Sequence, residues 1–422
     1  MFKYVDYYQE YGRIMQFNKN KKEPIHRWYP FVEGYSKEFI KSIIDEVNKK
    51  DLVCLEPFSG SGTTSLELQH NDIPCYSFEI NPLMYIIAKV KLENDYDLNK
   101  VEIWHDFIQT NRAVINANLK TVFSTLYEGN NKKKWNYDKV VGLAVQKLKI
   151  SIDLIKEAKY KNLFFVVLSS ILLDVSNLYR NGKCLSYKKN WEEINLSEAD
   201  VFKKFDDKIN KEIKKDIQLI KKTVQNNQDI LFNEDSRVGI DKEVKNNSID
   251  LVITSPPYLN SRDYTDTYIL ELKTMGLTNT YEEVRNLREK TLRSHVQIKW
   301  QNNESINNKT LESTLKLLKN CSGNQELWNS SILDMVRLYF VDIKKIFNVL
   351  YKKIKLGGRI YFNVSNSAYF NVMINTLRIC AEIAENEGFK VIEIRKARKL
   401  KPSPQQKEQI ENLLEGVIVM EK

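Results

Sequence analysis

The chain has 422 residues, 42% of them hydrophobic and 28% charged, enough for a sizeable core and two or three domains and too apolar for a disordered chain. No run approaches the roughly eighteen apolar residues of a membrane span, and the start Met1-Phe2-Lys3-Tyr4-Val5-Asp6 lacks a signal-peptide core, so the cytoplasm is the expected compartment. A formal net charge of +10 favours an acidic partner, most commonly nucleic acid, while Cys54, Cys75, Cys184, Cys321 and Cys380 form no C-x-x-C pair and the scattered histidines suggest no metal site.

The first stretch is aromatic and basic: His26-Arg27-Trp28-Tyr29-Pro30-Phe31 precedes Gly34-Tyr35-Ser36 and an apolar-periodic helix over 39–47. These aromatics either line a cofactor pocket or strap the N-terminus onto the core, and spacing alone does not choose. A short apolar strand follows, Leu52-Val53-Cys54-Leu55-Glu56, then Pro57-Phe58-Ser59-Gly60-Ser61-Gly62-Thr63-Thr64 and a helix through Leu66 and Leu68. Strand, glycine turn and helix bring backbone N–H groups and a helix N-terminus close to a ligand, because Gly60 and Gly62 carry no Cβ to block it. A plain tight turn is the alternative. The spacing is neither G-x-G-x-x-G nor a P-loop. Cys75-Tyr76-Ser77-Phe78-Glu79-Ile80 is predicted as the second strand, broken by Asn81-Pro82. A carboxylate at Glu79 can accept hydrogen bonds from both ribose hydroxyls of a nucleoside, or it is a solvated strand-end charge.

Helical periodicity dominates residues 94–228, over 101–126, 140–158, 163–179 and 200–225, and this stretch is predicted as an insertion between strands of the sheet. It holds Lys132-Lys133-Lys134-Trp135 and Tyr187-Lys188-Lys189-Asn190-Trp191, which suit phosphate contact and base stacking or are solvated faces. The third strand is expected over 229–233, followed by Glu234-Asp235-Ser236, with Asp235 the candidate acceptor for the exocyclic amine of an adenine. The fourth strand, Ile249-Asp250-Leu251-Val252-Ile253, runs into Thr254-Ser255-Pro256-Pro257-Tyr258, where two prolines that cannot donate to a ladder must end it. That turn sets a small hydroxyl, a free carbonyl and an aromatic ring at the carboxyl end of a sheet, where open α/β sheets place their chemistry. A helix over 263–275 and a second polar insertion over 279–329 come next. An amphipathic helix over 333–354 is stopped by Gly357-Gly358, and a fifth strand covers 359–364. A helix over 369–387, a strand over 389–394, a basic loop over 395–402 that could meet a phosphate backbone, and a last strand over 416–420 complete the order.

Taken together, residues 56–64, 78–82, Asp235 and 254–258 resemble the amino-group DNA methyltransferases that use S-adenosylmethionine. The resemblance implies an α/β, Rossmann-like methyltransferase sheet, mostly parallel with an antiparallel last strand, plus a helical insertion. The catalytic domain would be built from 1–93 and 229–422, with 94–228 the preferred DNA-recognition region and 279–329 the second choice. S-adenosylmethionine would be held by Tyr29 and Pro30 in the N-terminal segment and by Glu56, Pro57, Phe58, Ser59, Gly60, Ser61, Gly62, Thr63 and Thr64 in the glycine turn. Glu79 would take its ribose and Asp235 its adenine, while Ser255, Pro256, Pro257 and Tyr258 would be catalytic. Double-stranded DNA is the implied partner and a cognate restriction endonuclease a further one, with neither membrane nor metal. The cofactor motifs precede the catalytic one here, unlike the permuted order common among enzymes carrying S-P-P-Y.

The chemistry explains why such residues are needed. An exocyclic amine is a poor nucleophile because its lone pair is delocalised into the ring. The Ser255 hydroxyl and the Pro256 carbonyl can each accept one amine N–H, localising the pair and aiming it at a sulfonium methyl. A stacked base cannot reach the site, so it must flip, with Tyr258 against its face. Carbon-5 methylation would need a Pro-Cys nucleophile; the pair Pro74-Cys75 opens a strand and is discounted. In the resembled family, Ser at the head of the tetrapeptide is associated more with N4 of cytosine, and Asp or Asn with N6 of adenine. Cytosine is therefore preferred, with N6-adenine methylation, RNA amine methylation and a silent DNA-binding subunit as alternatives.

Overall fold

The computed structural model describes residues 1–129, 133–182, 184–220, 222–260, 263–300, 302–322, 331–403, 406 and 410–422. Twelve strands occur among them: β1 (Tyr4–Asp6), β2 (Cys54–Glu56), β3 (Cys75–Phe78), β4 (Leu178–Asn181), β5 (Cys184–Tyr187), β6 (Leu231–Phe232), β7 (Ile249–Thr254), β8 (Ile354–Ser365), β9 (Ser367–Tyr369), β10 (Val372–Ile374), β11 (Lys390–Leu400) and β12 (Leu413–Glu421). Eight of them form one sheet in the order β1-β11-β12-β8-β7-β2-β3-β6. All neighbours in it are parallel except at β12, which runs antiparallel to both β8 and β11. This is the Rossmann-like methyltransferase sheet expected from the sequence, with its reversed last strand.

Strand β7 is buried along all six residues, which is why Leu251-Val252-Ile253 reads as a continuous apolar run. Alternate residues of the sheet go to opposite faces. Leu55, Val252, Ile360 and Phe362 pack under the helices Ile332–Lys353 and Thr376–Asn386, while Cys54, Leu251, Ile253 and Tyr361 meet Phe39, Ile40 and Ile43 of the helix Lys37–Val47. The chain builds outward from β2 to β3 and β6, then returns to the other side of β2 with β7 and β8. The carboxyl ends of β2 and β7 thus flank a topological switch point, the usual place for a ligand crevice.

Between β3 and β6 lie the helices Leu98–Val114, Lys139–Asp153, Ala158–Val175, Glu198–Lys208 and Lys214–Ile217, with the β4–β5 hairpin among them. Their core, including Val145, Leu148, Phe164 and Phe205, is continuous with Leu83 and Ile87 beside the sheet and with Trp28 and Tyr29. Asp216, fully buried, fixes that junction by accepting from the Ile25 N–H (2.9 Å), the Arg27 guanidinium (2.5 and 3.0 Å) and Trp28 Nε1 (2.9 Å). No helix of the described residues is long and apolar enough to cross a membrane.

Several expected elements change. The third strand shrinks to β6, because Asn227–Ile230 forms a 3-10 turn whose Asn227 is consumed in bonds to Cys75, Gln69 and Ser65. Gly357 and Gly358 lie inside β8 rather than ahead of it, and the preceding helix stops at Lys353. A Cβ on Gly358 would meet the Asp250 carbonyl at 3.1 Å, so glycine serves close strand approach at an irregular β7–β8 register. The basic loop 395–402 is strand β11 as far as Leu400. Arg395 is buried against Glu46 (2.6 and 2.7 Å) and Tyr11 (2.7 Å) instead of facing a phosphate backbone. The helix expected from 369 begins at Thr376, after a β9–β10 hairpin whose turn holds Phe370 and Asn371 at positive φ. The stretch 279–329 is less shapeless than its composition suggests: it contains the helices Tyr281–Lys290 and Lys309–Ser322, with residues 323–330 outside the described part.

Candidate active site

A cavity of about 420 Å³ opens at the carboxyl edge of the sheet, over the ends of β2, β3 and β7. Pro57, Phe58, Ser59, Gly60, Thr63 and Thr64 line it from the turn after β2, Glu79 from the end of β3, Asp235 from the turn after β6, and Ser255, Pro256, Pro257 and Tyr258 from the turn after β7. Motifs more than a hundred residues apart in the chain therefore meet on one surface, because parallel strands all deliver their ends to the same edge.

The glycine turn is tight. Gly60 and Gly62 have φ of 52° and 82°, and a Cβ would stand 2.9 Å from the Phe31 ring at Gly60 and 2.9 Å from the Ala88 methyl at Gly62. Gly62 caps the helix Thr63–His70, whose N-terminus faces the turn. Ser59 lines the cavity with its hydroxyl buried and without a partner among the described residues. Beside it, Glu79 accepts the N–H groups of Gly60 (2.7 Å) and Asn81 (2.8 Å). Burial pushes its carboxyl up to about 7, against the pull of those N–H groups.

Five of the expected cofactor residues do not line the cavity. Ser61 and Gly62 lie behind the turn and shape it. Glu56 lies beneath it, accepting from the hydroxyls of Tyr35 (2.9 Å), Thr64 (2.9 Å) and Thr254 and from the Phe58 N–H (3.0 Å). Burial raises the Glu56 carboxyl to about 7. It thus ties β2, β7 and the N-terminal segment together from below. Tyr29 and Pro30 are displaced because Tyr29 turns into the core, donating to Glu271 (3.0 Å), which also pairs with Arg180 of β4. The next aromatic, Phe31, lies over Gly60 instead, parallel within 5° to the Tyr268 ring. The N-terminal aromatics thus divide between the two roles left open by the sequence: Trp28 and Tyr29 are core, and Phe31 is pocket wall.

Asp235 caps the helix Ser236–Glu243 and is gripped by Arg237 through both carboxylate oxygens (3.0 Å each from Nε). Arg237 continues to Asp342 (2.9 Å), which also holds Arg293, so the acid is fixed in place at the cavity wall. Cys75, in the discounted Pro-Cys pair, lies within β3 and away from the cavity, with burial pushing its thiol up to about 12.

In the turn after β7 the Tyr258 N–H donates to the Tyr264 hydroxyl (2.9 Å). The Tyr258 hydroxyl donates to Glu415 (2.6 Å) and accepts from Asn363 Nδ2 (2.7 Å), and Ser255 Oγ lies 3.4 Å from both Tyr258 Oη and Asn363 Nδ2. Arg398 closes the set by pairing with Glu415. Asn363, Arg398 and Glu415 line the cavity and were missed from sequence. Asn363 left a trace as a lone amide in the apolar run Tyr361-Phe362-Asn363-Val364, whereas Glu415 and Arg398 left none, since their pairing is cross-strand. Among the described residues no cluster of His, Cys, Asp and Glu could hold a metal ion. The two basic-aromatic clusters of 94–228 come together, with Trp135 and Trp191 edge to face at 5.0 Å and Tyr187 at 5.2 Å from Trp191; Lys132 lies outside the described residues.

The arrangement fits a nucleoside-bearing cofactor: an open glycine turn, an unpartnered serine hydroxyl and an acid at the second strand end share one wall, and the polarised turn after β7 faces the same space. Comparison with known proteins agrees. Type II methyltransferase M.BsoBI of Geobacillus stearothermophilus is 27% identical over 90% of this chain and 82% of its own length, and M.AvaI of Nostoc sp. is 26% identical over the same shares. M.MvaI of Kocuria varians is 26% identical over 58% of this chain and 55% of its own. The family model for D12 class N6 adenine-specific DNA methyltransferases matches residues 36–330, from the helix after the N-terminal aromatics to beyond the turn after β7, and the chain belongs to that family of DNA amino-methyltransferases.

Proposed function

We propose that the protein methylates N4 of a flipped cytosine at a short specific site in duplex DNA, as the modification partner of a restriction endonuclease. The observation that carries this is a serine, not an acid, at the head of the S-P-P-Y turn, lining the same cavity as the glycine turn. S-adenosylmethionine, the donor the family implies, supplies an electrophilic methyl on a sulfonium when bound. The residues that would hold it are Ser59 and the Gly60 backbone, with Glu79 for the ribose and Asp235 for the adenine.

The chain's own part is to bind, dry and orient. Ser255 Oγ and the Pro256 carbonyl accept the two amine N–H groups, bending the nitrogen towards tetrahedral geometry, and the Tyr258 ring supports the base. Proline at 256 and 257 leaves the turn stiff, so those acceptors need little reorganisation. Residues 94–228 are the proposed sequence reader, supported by the joined Trp135, Trp191 and Tyr187 cluster with Lys133 and Lys134 exposed at its edge. Lys290, which lines the cavity, supports 279–329 as the second candidate region for DNA contact. The Type II names of the relatives support the restriction–modification setting.

The family description favours a second reading, N6 of adenine. Incubation with labelled cofactor and duplex DNA, followed by mass spectrometry of the nucleosides, separates the two. N4-methylcytosine is the expected product; N6-methyladenine would transfer the reading to adenine, and label in RNA alone, or none with cofactor bound, would overturn DNA methylation.

A further inference from the structure

We infer that Glu415 is a positioning residue that sets the direction of a hydrogen-bond chain through Tyr258, so that Ser255 offers the target amine a lone pair and not its proton. The inference rests on the proposed role of Ser255 as an acceptor. A serine hydroxyl can donate or accept, and only the second activates an amine. A carboxylate has no such ambiguity, which makes serine at this position dependent on its surroundings.

The surroundings remove the choice. Glu415 is 1% exposed and can only accept; Arg398 takes Oε2, and Oε1 takes the Tyr258 proton at 2.6 Å. With its single proton committed there, the Tyr258 oxygen can only accept from its other neighbours. Asn363 Nδ2 fills one of its lone pairs at 2.7 Å. The orientation of that amide is fixed too: Nδ2 also lies 3.4 Å from Glu415 Oε1, so the reversed amide would set two acceptors against each other. Ser255 Oγ, 3.4 Å from Tyr258 Oη, then has a partner that can accept its proton, while Asn363 Nδ2, also 3.4 Å away, can only donate to it. Of the two lone pairs on the serine oxygen, one is left for the cavity. The polarity is dictated at the far end of the chain, where the Glu415 carboxylate acts through the Tyr258 hydroxyl.

Glu415 reaches this place because β12 is the antiparallel strand: its first residues, opposite Ser365 of β8 and Arg398 of β11, lie at the edge where the parallel strands end.

The test is a pair of mutant cycles read as kcat on duplex DNA, with binding of S-adenosylhomocysteine by calorimetry and thermal melting as controls. Glu415→Gln is expected to lower kcat by about tenfold or more with cofactor affinity unchanged, because a glutamine Nε2 can donate into Tyr258 and reverse the chain. In a Ser255→Asp background the acceptor is a carboxylate whatever the chain does, and the same change should then cost no more than about threefold. In a Tyr258→Phe background, which keeps the ring and cuts the chain, Glu415→Gln should add no further loss; this cycle decides if the Ser255→Asp variant is inactive. Equal losses in wild-type and substituted backgrounds, or wild-type kcat in Glu415→Gln, would overturn the inference. Full activity in Ser255→Ala would instead remove the acceptor role proposed for Ser255.

Discussion

Glu56 is a carboxyl group at 1% exposure under the glycine turn and the turn after β7, and its protonation is coupled to folding. Burial raises it from the usual 4.5 to about 7, with the hydrogen bonds from Thr254, Phe58, Thr64 and Tyr35 pulling the other way. Between those values the folded chain keeps a proton that the unfolded chain has released, so stability from this group is full below pH 4.5 and falls as pH rises towards 7, by about 3 kcal/mol. Glu56→Gln should flatten that slope, measured by urea unfolding at intervals between pH 5 and 7.5. Glu79 carries a shift of the same sign, so part of the slope should survive in the single variant and be lost in the double, leaving the opposite contribution of His26 and His295, whose charged forms burial disfavours. The residue scale is also where the sequence was most legible. Gly60, Glu79 and the 255–258 turn could be picked out because their chemistry is local: a backbone without Cβ, an acid at a strand end, a proline pair. Tyr29 failed because the choice between Tyr29 and Phe31 as pocket wall depends on Glu271, far along the chain.

At the scale of elements, apolar runs announced β2, β3, β7 and the core of β8, since a strand buried on both faces needs no context to be recognised. Strand β11 was half hidden. Its second half, Arg395-Lys396-Ala397-Arg398, looks like a solvated loop until Glu46 of the helix Lys37–Val47 and Glu415 of β12 are set opposite the arginines. Charge pairing across elements has no one-dimensional period, so no pattern along the chain could reveal it. Arg395→Ala should therefore act as a core mutation and not as a DNA-contact mutation. Removing it leaves Glu46 and the Tyr11 hydroxyl without their partner and should cost about 3 kcal/mol in urea unfolding, with DNA affinity at fixed salt unchanged in the folded protein. The short third strand was overextended for a related reason: the Asn227 amide bonds to the chain around Cys75 compete with the ladder, and side-chain capture of backbone is invisible to hydropathy.

At the scale of the whole molecule, the N-terminal segment that carries Phe31 over the glycine turn is tied to the helical insertion by one buried acid, Asp216. Asp216→Ala leaves the Ile25 N–H, the Arg27 guanidinium and Trp28 Nε1 unsatisfied, an expected cost of about 3 kcal/mol. Hydrogen exchange should quicken over residues 15–35, and cofactor affinity should fall with it although Asp216 lies outside the cavity; exchange mass spectrometry with calorimetry on the same protein checks both. The pairing of β2 with β7 has a different consequence. Cys54 lies opposite Leu251 across almost half of the chain, and about half of the intervening residues are helical. Each doubling of a loop's length adds only ~0.6 kcal/mol to the entropy of closing it. If residues 94–228 read the target as proposed, evolution can exchange that segment for another of quite different size at little thermodynamic penalty, provided the replacement brings a counterpart of Asp216, and new target sequences then become accessible without redesign of the sheet.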